Sequence, residues 1–171
     1  MINNISFFKL KRKQKFIILE LGGNYYKIIL SELNHNFRLI KYFYKDTTTM
    51  NDKQIAESIR DSLNITDYKN VFCLGVLSSS QLINKNIEIP SIEPQEIKEI
   101  INLQASRHTP YAKEEIMVDY IDIGIYKKNY TKILLIIVPT ALVNRYFEIM
   151  SLAGFNLESV ILAPESVVFF L

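Results

Sequence analysis

Two turn signals, Gly22-Gly23-Asn24 and Asn34-His35-Asn36, cut the first third of the chain into three β-rich stretches at residues 16–21, 25–33 and 37–44. Glycine and asparagine tolerate the backbone angles of a tight reversal, and so short a turn can only join strands antiparallel. Three antiparallel strands therefore open the fold, and an all-helical architecture is excluded. The period then changes. Residues 47–51 are polar and suited to capping, and Ile55, Ile59 and Leu63 recur at four-residue spacing, which sets them on one face of a helix of about three turns. Val71–Leu77 is a continuous apolar run too short for a helix, and it reads as a strand buried on both faces, parallel to the first.

Beyond a polar break at residues 78–81, where Ser78, Ser79 and Ser80 read as a joint, a second pattern begins. Ile83, Ile87 and Ile89 share one strand parity before Pro90. Ser91, Glu93 and Pro94 then start a helix with the stripe Ile97, Ile100, Ile101 and Ala105, expected to stop near Thr109 and Pro110. Residues 117–126 and 131–138 read as a hairpin with a loop at 127–130. Val143, Tyr146, Phe147, Met150 and Ala153 mark one more helix, which Gly154 ends as the residue after its C-cap, and 157–163 return to strand. Pro164, Glu165 and Ser166 resemble a first helical turn, yet the apolar residues 167–171 carry no cap. This pattern predicts the front part of a longer architecture.

Composition narrows the class of protein. At 171 residues, 49% hydrophobic and 22% charged, the chain can build a core, so a disordered tail is excluded. The longest apolar run, Ile133 to Val138, has six residues, against roughly 20 for a helix that crosses a bilayer. No secretory signal is recognisable, and the single cysteine, Cys73, cannot form an intramolecular disulfide. A reducing cytoplasmic setting is expected. Lys9, Lys11, Arg12, Lys13 and Lys15 form a basic arm with no acid before Glu20, which leaves 15 basic against 18 acidic residues in the remainder. That mildly acidic body argues against a nucleic-acid-binding face. The arm suits an anionic lipid surface, where each cation contributes about 1 kcal/mol and Phe7 and Phe8 could insert beside it; a solvated terminus is the other reading.

The opening βββαβ order resembles the ribonuclease-H-like half-fold of actin-like ATPases, and the hairpin from Leu19 to Ile28 resembles their first phosphate loop. The later features extend the likeness: Ile89-Pro90, an acidic amphipathic helix, Arg107-His108-Thr109-Pro110-Tyr111, Val118-Asp119-Tyr120, Leu134 to Pro139, Asn144-Arg145-Tyr146 to Ala153-Gly154-Phe155, and Ala163-Pro164-Glu165. In this order they resemble the PilM family of type IV pilus assembly, over the first half of a usual member. The resemblance implies a mixed α/β, actin-like half-lobe carrying an inserted strand-helix-strand-strand (SHS2-like) subdomain. The expected division is a basic arm at 1–15, the lobe at 16–81, the insert at 82–163 and a returning helix at 164–171.

The resemblance also implies a job: a cytoplasmic scaffold at the inner face of the membrane, whose groove takes the N-terminal tail of a PilN-like single-span protein. Arg107, Tyr111 and Tyr120 are the expected tail-binding residues, since Arg and Tyr are enriched at binding hot spots; Tyr111 and Tyr120 could instead fill the insert's own core. A tail could also add as a strand to an open sheet edge. Self-association is a further possibility of the family. If ATP with Mg²⁺ binds in a full-length form, Glu20, Gly22, Gly23 and Asn24 are the residues implied. Hydrolysis by this chain is not expected, because actin-like catalysis needs two phosphate hairpins and only one is recognisable here. Alternatives are a nucleotide-dependent ATPase or kinase fragment and the related type II secretion component. Other chemistry fails on inventory: His35 and His108 lack partner ligands, Cys73 sits in an apolar strand, and the serines have no base beside them, so neither a metal site nor a catalytic residue is expected.

Overall fold

The computed structural model describes residues 14–64 and 71–162. In chain order the elements are β1 (Gln14–Leu21), β2 (Tyr25–Asn34), β3 (Asn36–Asp46), α1 (Asp52–Leu63), β4 (Val71–Leu77), β5 (Ile83–Ile89), α2 (Pro94–Gln104), β6 (Ile116–Tyr126), β7 (Tyr130–Pro139), α3 (Thr140–Leu152) and β8 (Leu157–Leu162). They divide into two compact units. Among the described residues one is Ser79–Leu142, and the other takes 14–64, 71–78 and 143–162.

The larger unit is a five-stranded sheet of order β3-β2-β1-β4-β8, in which β1, β2 and β3 are antiparallel while β4 and β8 run parallel to β1. Helix α1 forms where the four-residue apolar spacing demands it. Its start is fixed by a capping box, in which Asn51 Oδ1 accepts from the Gln54 N–H at 3.0 Å and Gln54 Oε1 accepts from the Asn51 N–H at 2.9 Å. Its end is closed by Asn64 in the left-handed region, φ 43°. Ile55, Ile59 and Leu63 are buried, each contributing about 1.5–3 kcal/mol relative to exposure. Lys41 Nζ donates to the Leu63 carbonyl at 2.6 Å and the Tyr26 hydroxyl bonds Ser58 Oγ at 2.8 Å, so α1 lies across β2 and β3.

Helix α3 lies across β1 and β4. Its Tyr146 hydroxyl accepts from the Leu21 N–H at 2.8 Å and donates to the Val76 carbonyl at 2.7 Å. Gly75 is required beneath it, because a Cβ there would come within 2.8 Å of the Tyr146 ring. Leu21 pairs with Tyr26, and Leu19 with Gly75, so α1 and α3 occupy the same sheet face. Arg145 joins them through Asp52, with Nη2 2.9 Å and Nε 3.0 Å from Oδ1. The opposite parity, Glu20, Tyr25, Lys27 and Tyr44, therefore emerges on the face away from both helices.

The smaller unit is an antiparallel sheet of order β5-β7-β6 with α2 packed on one face. Ile89, Ile97, Ile101, Ile133, Leu135 and Ile137 are at most 2% exposed and form one cluster. Pro94 occupies the first helical turn of α2, where its missing N–H costs nothing. Ser91 prepares the entry: its Oγ accepts from the Glu93 N–H and donates to Glu96, while its carbonyl accepts from the buried Thr131 hydroxyl at 2.7 Å.

Two expectations from the sequence are corrected. The insert does not extend to residue 163, because β8 pairs with β4 and Tyr146 is bonded to β1 and β4; α3 from Val143, and β8, belong to the lobe. Lys15 does not belong to an arm, since it lies within β1 opposite Glu32 and Val71. The helical segment of α2 stops at Thr109 as expected, its last turn over Ala105–His108 tightening to 3-10 geometry. Lys9, Lys11, Arg12 and Lys13 and the helix expected at 164–171 lie outside the described residues. Gly154 ends α3 as expected, at φ 89°, with the paired Gly154→Ser151 and Phe155→Met150 backbone bonds of a Schellman motif.

Candidate functional site

The β1–β2 hairpin carries the residues implied as nucleotide ligands. Its loop closes with Gly22 N–H donating to the Tyr25 carbonyl at 2.8 Å, and the residue after β3 braces it, Thr47 N–H donating to the Asn24 carbonyl at 2.8 Å. Because Leu21 pairs with Tyr26, the register sets Glu20 opposite Lys27. Lys27 Nζ lies 3.1 and 3.3 Å from the two Glu20 carboxylate oxygens, and the Tyr25 hydroxyl donates to Oε1 at 2.7 Å. The Tyr25 ring continues the cluster, stacking on Tyr44 with centroids 5.4 Å apart and lying 4.9 Å beneath the Lys27 ammonium. The hydrogen bond to Glu20 raises the pKa of both partners: it holds the Tyr25 phenol protonated, with desolvation adding to it, and it holds the Lys27 ammonium charged.

The same ring covers Gly22. A Cβ on that glycine would collide with three carbons of the Tyr25 ring, and its φ is not positive, so glycine is needed here for close approach and not for backbone freedom. The fit of ATP with Mg²⁺ can be judged from these contacts. The Glu20 carboxylate that would orient a metal is neutralised by Lys27 and hydrogen-bonded by Tyr25. The Gly22 N–H is committed to the turn, and the surface above Gly22 is filled by an aromatic ring. Only Gly23 and Asn24 are exposed. As arranged, these residues do not fit a metal-bound phosphate.

The residues expected to grip a peptide are all in the smaller unit. Arg107 is exposed in the 3-10 turn after α2, and Tyr111 is 43% exposed in the loop that follows. Tyr111 N–H donates to Thr109 Oγ1 at 3.3 Å, which shapes the turn around Pro110. Tyr120, on β6, packs against the cluster of Ile133 and Leu135, so it serves the insert's own core. Among the described residues no hydrogen bond, ion pair or ring contact joins the three.

Other candidates fall out on position. His35 is exposed at φ 71° in the β2–β3 turn, and no cluster of metal-ligating side chains occurs among the described residues. Cys73 is buried in β4, where desolvation, with Glu158 adding to it, pushes its thiol up to about 12. It is no nucleophile at neutral pH. Among the described residues no helix is long and apolar enough to cross a membrane.

No family model matches the chain, and no curated protein matches it in sequence. Solved structures do match. The chain is similar to one from a PilM-PilN type IV pilus biogenesis complex, with a TM-score of 0.70 and 16% identity, over 94% of this chain and 50% of that one. It is also similar to the cytoplasmic domain of EpsL, an inner membrane component of the type II secretion system of Vibrio cholerae, with a TM-score of 0.60 and 11% identity, over 86% of this chain and 57% of that domain. The chain spans about half the length of each. It has a mixed α/β fold similar to that of these two structures, with the small strand-helix-strand-strand unit inserted between β4 and α3.

Proposed function

We propose that the chain is a non-enzymatic assembly adaptor of the type IV pilus kind, working at the inner face of the cytoplasmic membrane and holding the N-terminal tail of a PilN-like single-span protein. One observation carries this reading: 94% of the chain follows the fold of a protein solved in a PilM-PilN complex. Exposed Arg107 and Tyr111 beside the stiff Pro110 supply the residue types on which peptide interfaces concentrate their energy. The basic residues Lys9, Lys11, Arg12 and Lys13 would add attraction to anionic lipid. The similarity to the EpsL domain supports a second reading, the equivalent component of a type II secretion system.

Fluorescence anisotropy with synthetic N-terminal tails of a PilN-type and an EpsL-partner-type protein tests both readings. Saturable binding of the PilN-type tail is expected, with at least a tenfold loss in Arg107→Ala and Tyr111→Ala, about 1.4 kcal/mol or more each. Preference for the other tail would move the assignment to secretion. Failure of the folded protein to bind either tail would remove the adaptor reading.

A further inference from the structure

We propose that the β1–β2 hairpin is shut by its own side chains, Tyr25 over Gly22 and Lys27 on Glu20, so that this chain works without a nucleotide at that loop. The idea goes beyond tail binding and does not depend on it.

Three contacts, converging on Tyr25 and Glu20, support it. A carboxylate used to order a hydrated metal must offer free oxygens, whereas both Glu20 oxygens face the Lys27 ammonium and Oε1 also accepts the Tyr25 hydroxyl. Glycines in a phosphate loop let the backbone approach an anion. Here the approach over Gly22 is used by the Tyr25 ring. The ring is also held from a second side, since it stacks on Tyr44 of β3 and therefore ties three strands together beside the hairpin's turn. To admit a phosphate, Tyr25 would have to give up the Glu20 bond, the Tyr44 stack and the Lys27 contact together. The cluster therefore replaces a ligand with an internal salt bridge and ring, and Gly22 is explained by the ring alone.

Nuclear magnetic resonance on the full chain tests this. An aromatic ring packed on Gly22 displaces the Gly22 Hα resonances upfield, and Tyr25→Ser should return them to ordinary values while the remaining spectrum stays dispersed. Addition of millimolar Mg-ATP to the unaltered protein is expected to leave those resonances, and the Gly22, Gly23 and Asn24 amides, in place, with no heat in calorimetry. Either of two results overturns the proposal: Gly22 Hα signals at ordinary positions in the unaltered protein, or Mg-ATP that shifts the three amides and abolishes the ring displacement. Because the probe is the hairpin and not the peptide, loss of tail binding leaves the outcome readable.

Discussion

Glu20, a single acid at the end of β1, has two possible fates, ligand or salt-bridge partner, and the strand register decides between them. A three-residue loop over Gly22-Gly23-Asn24 would pair Leu21 with Tyr25 and face Glu20 with Tyr26. The observed loop closes one residue later and faces Glu20 with Lys27. This makes a pH prediction possible. Tyr25 and Lys27 both have pKa values raised above the ordinary 10.0 and 10.5. The folded state thus binds both protons more tightly than the unfolded chain, so their contribution is complete below pH 10 and fades as pH climbs through the raised values. A half-exposed, solvent-screened pair of this kind is worth about 0.2–1 kcal/mol. Urea midpoints of the native chain and Tyr25→Phe, measured across alkaline pH, should differ by a constant amount below pH 10 and converge above it. A gap that stays constant throughout would show that the phenol does not bond Glu20. The sequence shows that an acid precedes two glycines. It does not show the one-residue change in loop closure, which is a property of turn geometry, and so the cluster was not legible there.

At the scale of elements, legibility followed the range of the forces. Helix α1 was readable from local signals, the polar stretch ending at Asn51 and the four-residue spacing of Ile55, Ile59 and Leu63, while the Gln54 half of its capping box and its Asn64 terminus came only with the structure. The Gly154 terminus of α3 and Pro94 at the start of α2 were readable from local signals too. The division of the chain was not readable past Leu142, since nothing in residues 157–162 announces that their partner is β4 and not the insert's sheet. Parallel pairing over such a separation is selected by packing, and the apolar helical position of Tyr146 likewise gave no sign of its hydroxyl partners on β1 and β4. Tyr111 and Tyr120 illustrate the same limit, one exposed and the other half-buried against the core, with identical side chains. Because the α1 cap is local, its loss should be local in origin and modest. Asn51→Ala is expected to lower stability by about 1 kcal/mol in urea titration, and Asn51→Ser to restore most of it. An effect near zero would mean that the first turn is held by tertiary contacts alone.

For the whole molecule, Cys73 serves as a built-in reporter. It lies in β4, between β1 and β8 at the buried interior of the lobe's sheet, so a reagent reaches it only when that sheet opens. Burial also keeps the sulfur as a thiol, with its pKa pushed up to about 12, and a thiol is a poor nucleophile. Labelling at neutral pH should therefore be slow and, when reclosing outruns reaction, proportional to the open population. Tyr146 sets that population directly. Its hydroxyl bonds the ends of β1 and β4 to α3, and Tyr146→Phe removes those bonds from a buried site at a cost of about 1–3 kcal/mol. With tenfold in an equilibrium for every 1.4 kcal/mol, Cys73 should then label roughly 5 to 150 times faster, and the urea midpoint should fall in proportion. If Cys73 in the native chain reacted as fast as a cysteine in an unfolded peptide, β4 would not be the closed centre of the sheet. If Tyr146→Phe lowered the urea midpoint without quickening the label, the sheet around Cys73 would open by a route that leaves α3 in place, and α3 would not be what holds β1 to β4.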